Sequence, residues 1–308
     1  PAEILLIPMR NAGIPIRHHR KGITRLQVQS CPSCGVCIDA CPMSAASANI
    51  KDTTVYLNRQ LKRNNQGRIE EISDKCLLCG KCSAVCPVGV EGDKIRIAQR
   101  STREYGISPD YSALDQSAFA KHKGGRILYF AGCMTHLTPA IKRAMIAILD
   151  EAKEEYSIMD EDGGICCGRP MLMAGRMDAA QQMIDLNTEI IAKSGASILL
   201  LSCPICYRIF KNDYKLEGIE ILHHTEYIDR LIAQQRINIS KSELRYVYHD
   251  PCELGRGCKI YNEPRRVVAA TGELVEGEKH HKESICCGGS LGSLSLGYQH
   301  RKRITENA

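Results

Sequence analysis

The sequence predicts an α/β chain, in which a helical N-terminal domain precedes two pseudo-repeated α/β modules. Three observations predict it. Cysteines fall into two identically spaced groups within residues 31–86, separated by polar sequence. From Arg126 onward, short apolar runs alternate with longer stretches of helical periodicity, the pattern of α/β architecture. A lone cysteine followed by Cys-Cys-Gly then occurs twice, with 32 residues between Cys133 and Cys166 and 33 between Cys252 and Cys286, which points to an internal duplication. The 308 residues are about twice a typical domain length, and the expected boundaries are 1–124, 125–240 and 241–308.

In the first domain the cysteine groups flank Lys51 to Asp74, where Arg63-Asn64-Asn65-Gln66-Gly67 reads as a turn-like linker. Residues 101–125 read as an exposed connector that closes in Gly124-Gly125 ahead of a strand. Ile127-Leu128-Tyr129-Phe130 is that strand, buried and ending at Gly132-Cys133. Thr138 to Tyr156 is expected as an amphipathic helix, with Thr138 as N-cap, Pro139 at the first helical position, and Ile141, Met145, Ile148 and Leu149 near helical spacing. Met177 to Ser194 reads as another helix. Ser197 to Ser202 is a second core strand, delivering Cys203 at its carboxyl end, where α/β folds place ligands. Tyr246 to Cys252 repeats the strand-to-cysteine unit. The chain opens without Met and stops at Ala308 inside a helical stretch, so both ends read as incomplete and the second module as truncated.

Composition excludes several classes of function. Hydrophobic residues at 44% and charged residues at 25% are ordinary for a globular protein. The 17 cysteines are odd in number, closely clustered and accompanied by no signal peptide, which disfavours a disulfide scaffold and points to a reducing, cytoplasmic setting. No apolar run approaches the roughly 18 residues needed to span a bilayer, so membrane association is expected only through a partner. Tryptophan is absent and only 3 Phe are present, against a base-stacking surface; with a mild net charge of +6, no nucleic-acid partner is expected. Arg17, His18, His19, Arg20, Lys21 and Arg25 form one dense basic stretch, the first place to expect a protein-docking surface.

The strongest motif is Cys31-x-x-Cys34-x-x-Cys37-x-x-x-Cys41-Pro42, repeated as Cys76-x-x-Cys79-x-x-Cys82-x-x-x-Cys86-Pro87. This is the ferredoxin-type ligand run for two 4Fe-4S cubanes. Three closely spaced thiolates wrap one cube and the fourth reaches the other, so the expected sets are Cys31, Cys34, Cys37 and Cys86, and Cys76, Cys79, Cys82 and Cys41. Structural zinc on four-cysteine sets is the alternative. A second constellation comprises Cys133, then Cys166-Cys167-Gly168, then Cys203-Pro204-Ile205-Cys206. Adjacent cysteines bind neighbouring irons of a cluster more readily than one small ion. A metal-free redox dithiol at Cys203-x-x-Cys206 is the competing reading.

Together these motifs resemble the Cys-Cys-Gly (CCG) domain proteins. A two-cluster ferredoxin segment followed by two such modules is similar to the D subunit of heterodisulfide reductase, and to the iron–sulfur subunits of glycolate, lactate and anaerobic glycerol-3-phosphate dehydrogenases. The resemblance runs from Cys31 to Gly289. It implies a non-cubane 4Fe-4S cluster on Cys133, Cys166, Cys167, Cys203 and Cys206, the catalytic set that cleaves a disulfide by one-electron steps. The implied enzyme is an oxygen-sensitive, multisubunit oxidoreductase with a disulfide substrate and a flavoprotein or cytochrome b electron-donor subunit. An electron relay between a flavin dehydrogenase and a quinone or cytochrome partner is the alternative. The second module departs from the pattern: Cys252, Cys286 and Cys287 are metal-ligand candidates for a second such cluster, but no closing Cys-x-x-Cys follows within the 308 residues.

No Gly-rich dinucleotide fingerprint follows a strand, so neither flavin nor NAD is expected on this chain. Cys258 reads as a packing thiol. His223-His224 and His280-His281 read as packing or partner-facing residues, and His249 with Asp250 as structural hydrogen-bonding groups.

Overall fold

The computed structural model describes residues 26–47, 50–103, 124–161, 164–289 and 291–308; the basic stretch from Arg17 to Arg25 and most of the connector lie outside the described residues. The described residues fall into two compact units. One takes 26–103 with Leu172–Met177 and Cys286–Ala308, and the other takes 124–171 with Asp178–Ile285.

The first unit is helical. Its elements are α1 (Val36–Asp39), α2 (Pro42–Ser47), α3 (Thr54–Lys62), α4 (Gln66–Lys75), α5 (Lys81–Ala84) and α6 (Gly92–Arg100). The polar segment between the cysteine groups is therefore two helices rather than open linker, and the turn is confined to 63–65. Helix wins because Leu57, Ile69 and Ile72 bury with Val28, Val90 and Ile95 in one apolar core, against which Cys31 and Cys86 pack. The two cysteine runs share their backbone 45 residues apart: Ser33 and Leu78 have φ of 60° and 56°, and Gly35 and Gly80 have 89° and 70°. Arg100, fully buried, donates to the carbonyls of Ser73 (3.1 Å), Cys76 (3.2 Å), Met173 (2.6 Å) and Gly292 (2.6 Å).

The second unit is built on a parallel sheet of β1 (Ile127–Phe130), β2 (Tyr156–Ile158), β3 (Ile198–Leu201) and β4 (Glu220–His223), in the order β2-β1-β3-β4. Every residue of β1 and β3 is buried, which is why both read as continuous apolar runs. Connecting helices include α7 (Cys133–His136), α8 (Pro139–Glu151), α9 (Arg169–Ala174), α10 (Met177–Ser194), α11 (Pro204–Asn212) and α12 (His224–Ala233), with the end of α9 and the first residue of α10 counted in the first unit. α8 stops five residues before Tyr156, because Lys153 takes a left-handed turn (φ 54°) and the chain enters β2. Met145 and Leu149 bury on the sheet, whereas Ile141 stays exposed. The strand–helix–strand unit recurs as β5 (Arg245–Val247), α13 (Gly255–Cys258), α14 (Asn262–Thr271) and β6 (Glu273–Val275), with β5 and β6 parallel and α14 packed on α12. The chain is thus mixed α/β, with a helical cysteine-rich segment ahead of two related modules. The last helix, α15 (Tyr298–Glu306), packs against α2 in the first unit.

Candidate functional site

Five thiols converge beyond the carboxyl ends of the sheet strands. β1 and β3 are neighbours from which the strand order departs in opposite directions, the position at which open parallel sheets hold ligands. Cys133 follows β1, Cys166 and Cys167 follow β2, and Cys203 and Cys206 follow β3. The Cys133 turn is pinned by Asp160, whose buried carboxylate accepts from the backbone N–H of Ala131 (2.9 Å) and Gly132 (2.7 Å). Gly132 sits at φ 86°, ψ 146°, a region essentially reserved for glycine. A Cβ there would lie 3.1 Å from both Cys203 Cβ and Cys206 Sγ, so its absence lets the strands bring these cysteines together.

The Cys166-Cys167 backbone is held from behind. Asn187 Nδ2 donates to the Cys166 carbonyl (2.9 Å), and the Tyr214 hydroxyl donates to that of Cys167 (3.0 Å). Gly168 N–H lies 3.5 Å from Cys166 Sγ. Cys167, Cys203 and Cys206 are buried, while Cys133 and Cys166 are half-buried and give the group an open side. The thiols act directly on one another. Hydrogen bonds from Cys166 and Cys206 draw Cys167 well below the ordinary thiol range, with Arg169 nearby adding to the effect. Cys206 likewise draws Cys203 down. Cys166 and Cys206, as the donors, hold their protons more tightly. Burial, then the charges of Cys167 and Cys203, push Cys133 up. Five soft sulfur donors gathered beyond the ends of neighbouring strands suit iron–sulfur or another thiophilic metal centre.

In the first unit, Cys41, Cys76, Cys79 and Cys82 line a single cavity together with Thr54, Asp93 and Arg96. This set unites the second cysteine run with the last cysteine of the first. Burial, reinforced by Cys79 and Cys76, pushes the Cys41 thiol up to about 12, and burial raises Cys82 as well. A Cβ on Gly92 would fall 2.4 Å from Thr54 Oγ1 and 2.9 Å from Cys82 Sγ, so glycine makes the room at this wall. Arg96 is buried beside the thiols, and its Nε has no hydrogen-bond acceptor. Four thiols, an unanswered buried donor and a glycine wall fit an anionic sulfur-rich group. The other set is more open: Cys34 is exposed, and Cys31, Cys37 and Cys86 are half-buried. Burial first, with Cys31 adding its charge, raises Cys37, and Val90 N–H lies 3.2 Å from Cys86 Sγ.

Cys252 belongs to the second unit, and Cys286 and Cys287 to the first. Cys258 is pushed up to about 12 by burial. Glu253 places Oε2 3.3 Å from Arg169 and 3.0 Å from Arg208, a buried acidic link that the sequence does not announce. His223 caps α12, and its Nε2 lies 3.2 Å from the Ser202 carbonyl. His249 is exposed, whereas Asp250 forms a paired bond with Arg265 (2.7 Å on each oxygen) and accepts from His281 N–H (2.6 Å). Glu276, His280 and His281 offer donor atoms within 4.8 Å of one another, but Arg265 occupies both oxygens of Glu276. Sequence reasoning missed Asp160, Glu253 and Arg96, since no local pattern marks a charged residue for burial.

Comparison with known proteins matches residues 27–90 to the 4Fe-4S dicluster domain, and 127–211 with 246–306 to the cysteine-rich domain CCG. The chain is 28% identical to the B subunit of the fumarate reductase (CoM/CoB) of Methanothermobacter marburgensis, over 93% of this chain and 66% of that protein. It is 26% identical to the D subunit of the dihydromethanophenazine:CoB–CoM heterodisulfide reductase of Methanosarcina acetivorans, over 87% of this chain and 79% of that protein. It is also 31% identical to the EtfAB:quinone oxidoreductase of Syntrophomonas wolfei, over 55% of this chain and 24% of that protein. No solved structure matches. Among the described residues no helix is long and apolar enough to cross a membrane.

Proposed function

Given that this chain belongs to the heterodisulfide reductase-like iron–sulfur proteins, which join a 4Fe-4S dicluster domain to a cysteine-rich CCG domain, we propose that it conducts electrons from a partner to a disulfide. The observation that carries the reading is the convergence of Cys133, Cys166, Cys167, Cys203 and Cys206 beyond β1 and β3. Iron–sulfur clusters, when bound, store and pass single electrons.

In this reading Cys31, Cys34, Cys37 and Cys86 hold one cubane, and Cys76, Cys79, Cys82 and Cys41 hold the other. The five thiols of the second unit hold a non-cubane 4Fe-4S cluster. Asp160 and Gly132 fix where Cys133 is presented. Asn187 and Tyr214 fix the Cys-Cys backbone. Cys133 and Cys166, less buried than the other three, mark the side from which a disulfide approaches. One disulfide takes up two electrons and two protons to give two thiols. The electrons come from a flavoprotein or cytochrome b partner, and attachment to a membrane is through that partner. A second reading, an electron relay toward a quinone partner without a substrate site of its own, is favoured by the likeness to the EtfAB:quinone oxidoreductase.

Electron paramagnetic resonance (EPR) on anaerobically prepared, mildly oxidised protein separates the two. The expected result is a thiol-dependent signal, distinct from the reduced cubanes, that disappears in Cys206→Ser while the cubane signals persist. Cubane signals alone at full iron occupancy would leave the relay standing and the disulfide reading refuted.

A further inference from the structure

Arg96 lies on α6, only 1% exposed, in the wall of the cavity lined by Cys41, Cys76, Cys79 and Cys82. Its guanidinium donates to Thr54 Oγ1 (2.8 Å) and to the carbonyls of Gly92 (3.0 Å) and Asp52 (3.0 Å). All three acceptors are uncharged, and Nε meets none. A charge taken out of water costs several kcal/mol unless an opposite charge answers it. Of the two carboxylates of the same cavity, Asp93 Oδ1 accepts from the Ser83 hydroxyl (2.6 Å) and Asp52 Oδ2 lies 3.6 Å from Lys75, and neither carboxylate accepts a hydrogen bond from Arg96. The buried guanidinium thus borders the four sulfurs with no carboxylate bonded to it. Burial works against its charge, and the neighbouring sulfurs of Cys76, Cys82 and Cys41, then Cys37 of the other set, favour it.

We infer that Arg96 is a resident counter-charge of an anionic, sulfur-ligated cluster on Cys41, Cys76, Cys79 and Cys82, and that it favours the reduced state of that cluster. The inference rests on the reading of these cysteines as cluster ligands. Adding an electron adds negative charge, and a fixed cation in a buried wall stabilises that more reduced state more than the oxidised one. The set containing exposed Cys34 is closer to water, which screens charge and leaves its ease of reduction nearer to that of a solvated cluster.

The test uses the full chain, purified anaerobically as wild type, Arg96→Gln and Arg96→Lys, with the two cubanes followed by EPR-monitored redox titration. Glutamine keeps hydrogen-bonding capacity without charge, and lysine keeps the charge in another shape. In Arg96→Gln the reduced-to-oxidised ratio of one cubane, read at its wild-type midpoint, should fall about tenfold, equivalent to 59 mV for a one-electron couple. The other cubane should move less, and Arg96→Lys should stay within about twofold of wild type. Unchanged midpoints in both variants overturn the inference. So does Arg96→Lys tracking Arg96→Gln, since shape rather than charge would then be responsible. If Arg96→Gln loses one cluster's iron while Arg96→Lys retains it, the charge requirement stands; loss from both overturns it. Failure of the underlying reading looks different, because wild type itself would then show no cubane signals.

Discussion

At the scale of single residues, the second unit uses buried charge as structure, and Asp250 shows how that couples to pH. Burial alone would raise its carboxyl, but the Arg265 guanidinium and the His281 N–H outweigh burial and hold it below the usual carboxylate range. A depressed folded-state value stabilises the fold above the unfolded value near 4, and that contribution is lost as pH falls through the folded-state value. Wild type should therefore be more stable than Asp250→Asn near neutrality. The gap between the two urea midpoints should narrow steadily below about pH 4. A gap that is constant with pH would show that the carboxylate charge is not what Arg265 responds to.

At the scale of elements, Gly132 is the joint on which the five-thiol group depends. Gly132→Ala should strain the backbone by about 1–3 kcal/mol and press on Cys203 and Cys206. The expected outcome is loss of iron and of the thiol-dependent signal from that site, with both cubane signals intact, as measured by iron analysis and EPR on one sample. Much of this framework was legible beforehand. β1 and α10 were readable because a fully buried strand is an unbroken apolar run and a long helix is strongly periodic. β2 and β4 were not, being short flanking strands with mixed burial and no clean alternation. The end of α8 was hidden because Lys153, rather than glycine, takes the left-handed turn. The cysteine positions were readable from their spacing. Arg96 and Arg100 were not, because a charge that buries against carbonyls looks in sequence like one that faces water.

At the scale of the whole molecule, the two units should respond unequally to loss of metal. The first has short helices around a small apolar core against which Cys31 and Cys86 pack, whereas the second has a buried parallel sheet whose core cluster contains no cysteine. After anaerobic chelation, hydrogen exchange should show protection collapsing across 50–103 while β1 and β3 remain protected. Equal loss in both units would mean that the sheet, too, is organised by its metal. The twofold ferredoxin run has one more consequence. Its copies share a backbone but not a shelter: Cys34 is exposed, whereas Cys79 is 8% accessible. Loaded as proposed, the chain carries two sites of unlike durability. On contact with air, dioxygen reaches sulfur at Cys34 first and starts the oxidation of that thiolate, while the copy around Arg96 outlasts it. The brown colour should bleach in two phases, and protein caught between them would retain one cluster of its pair.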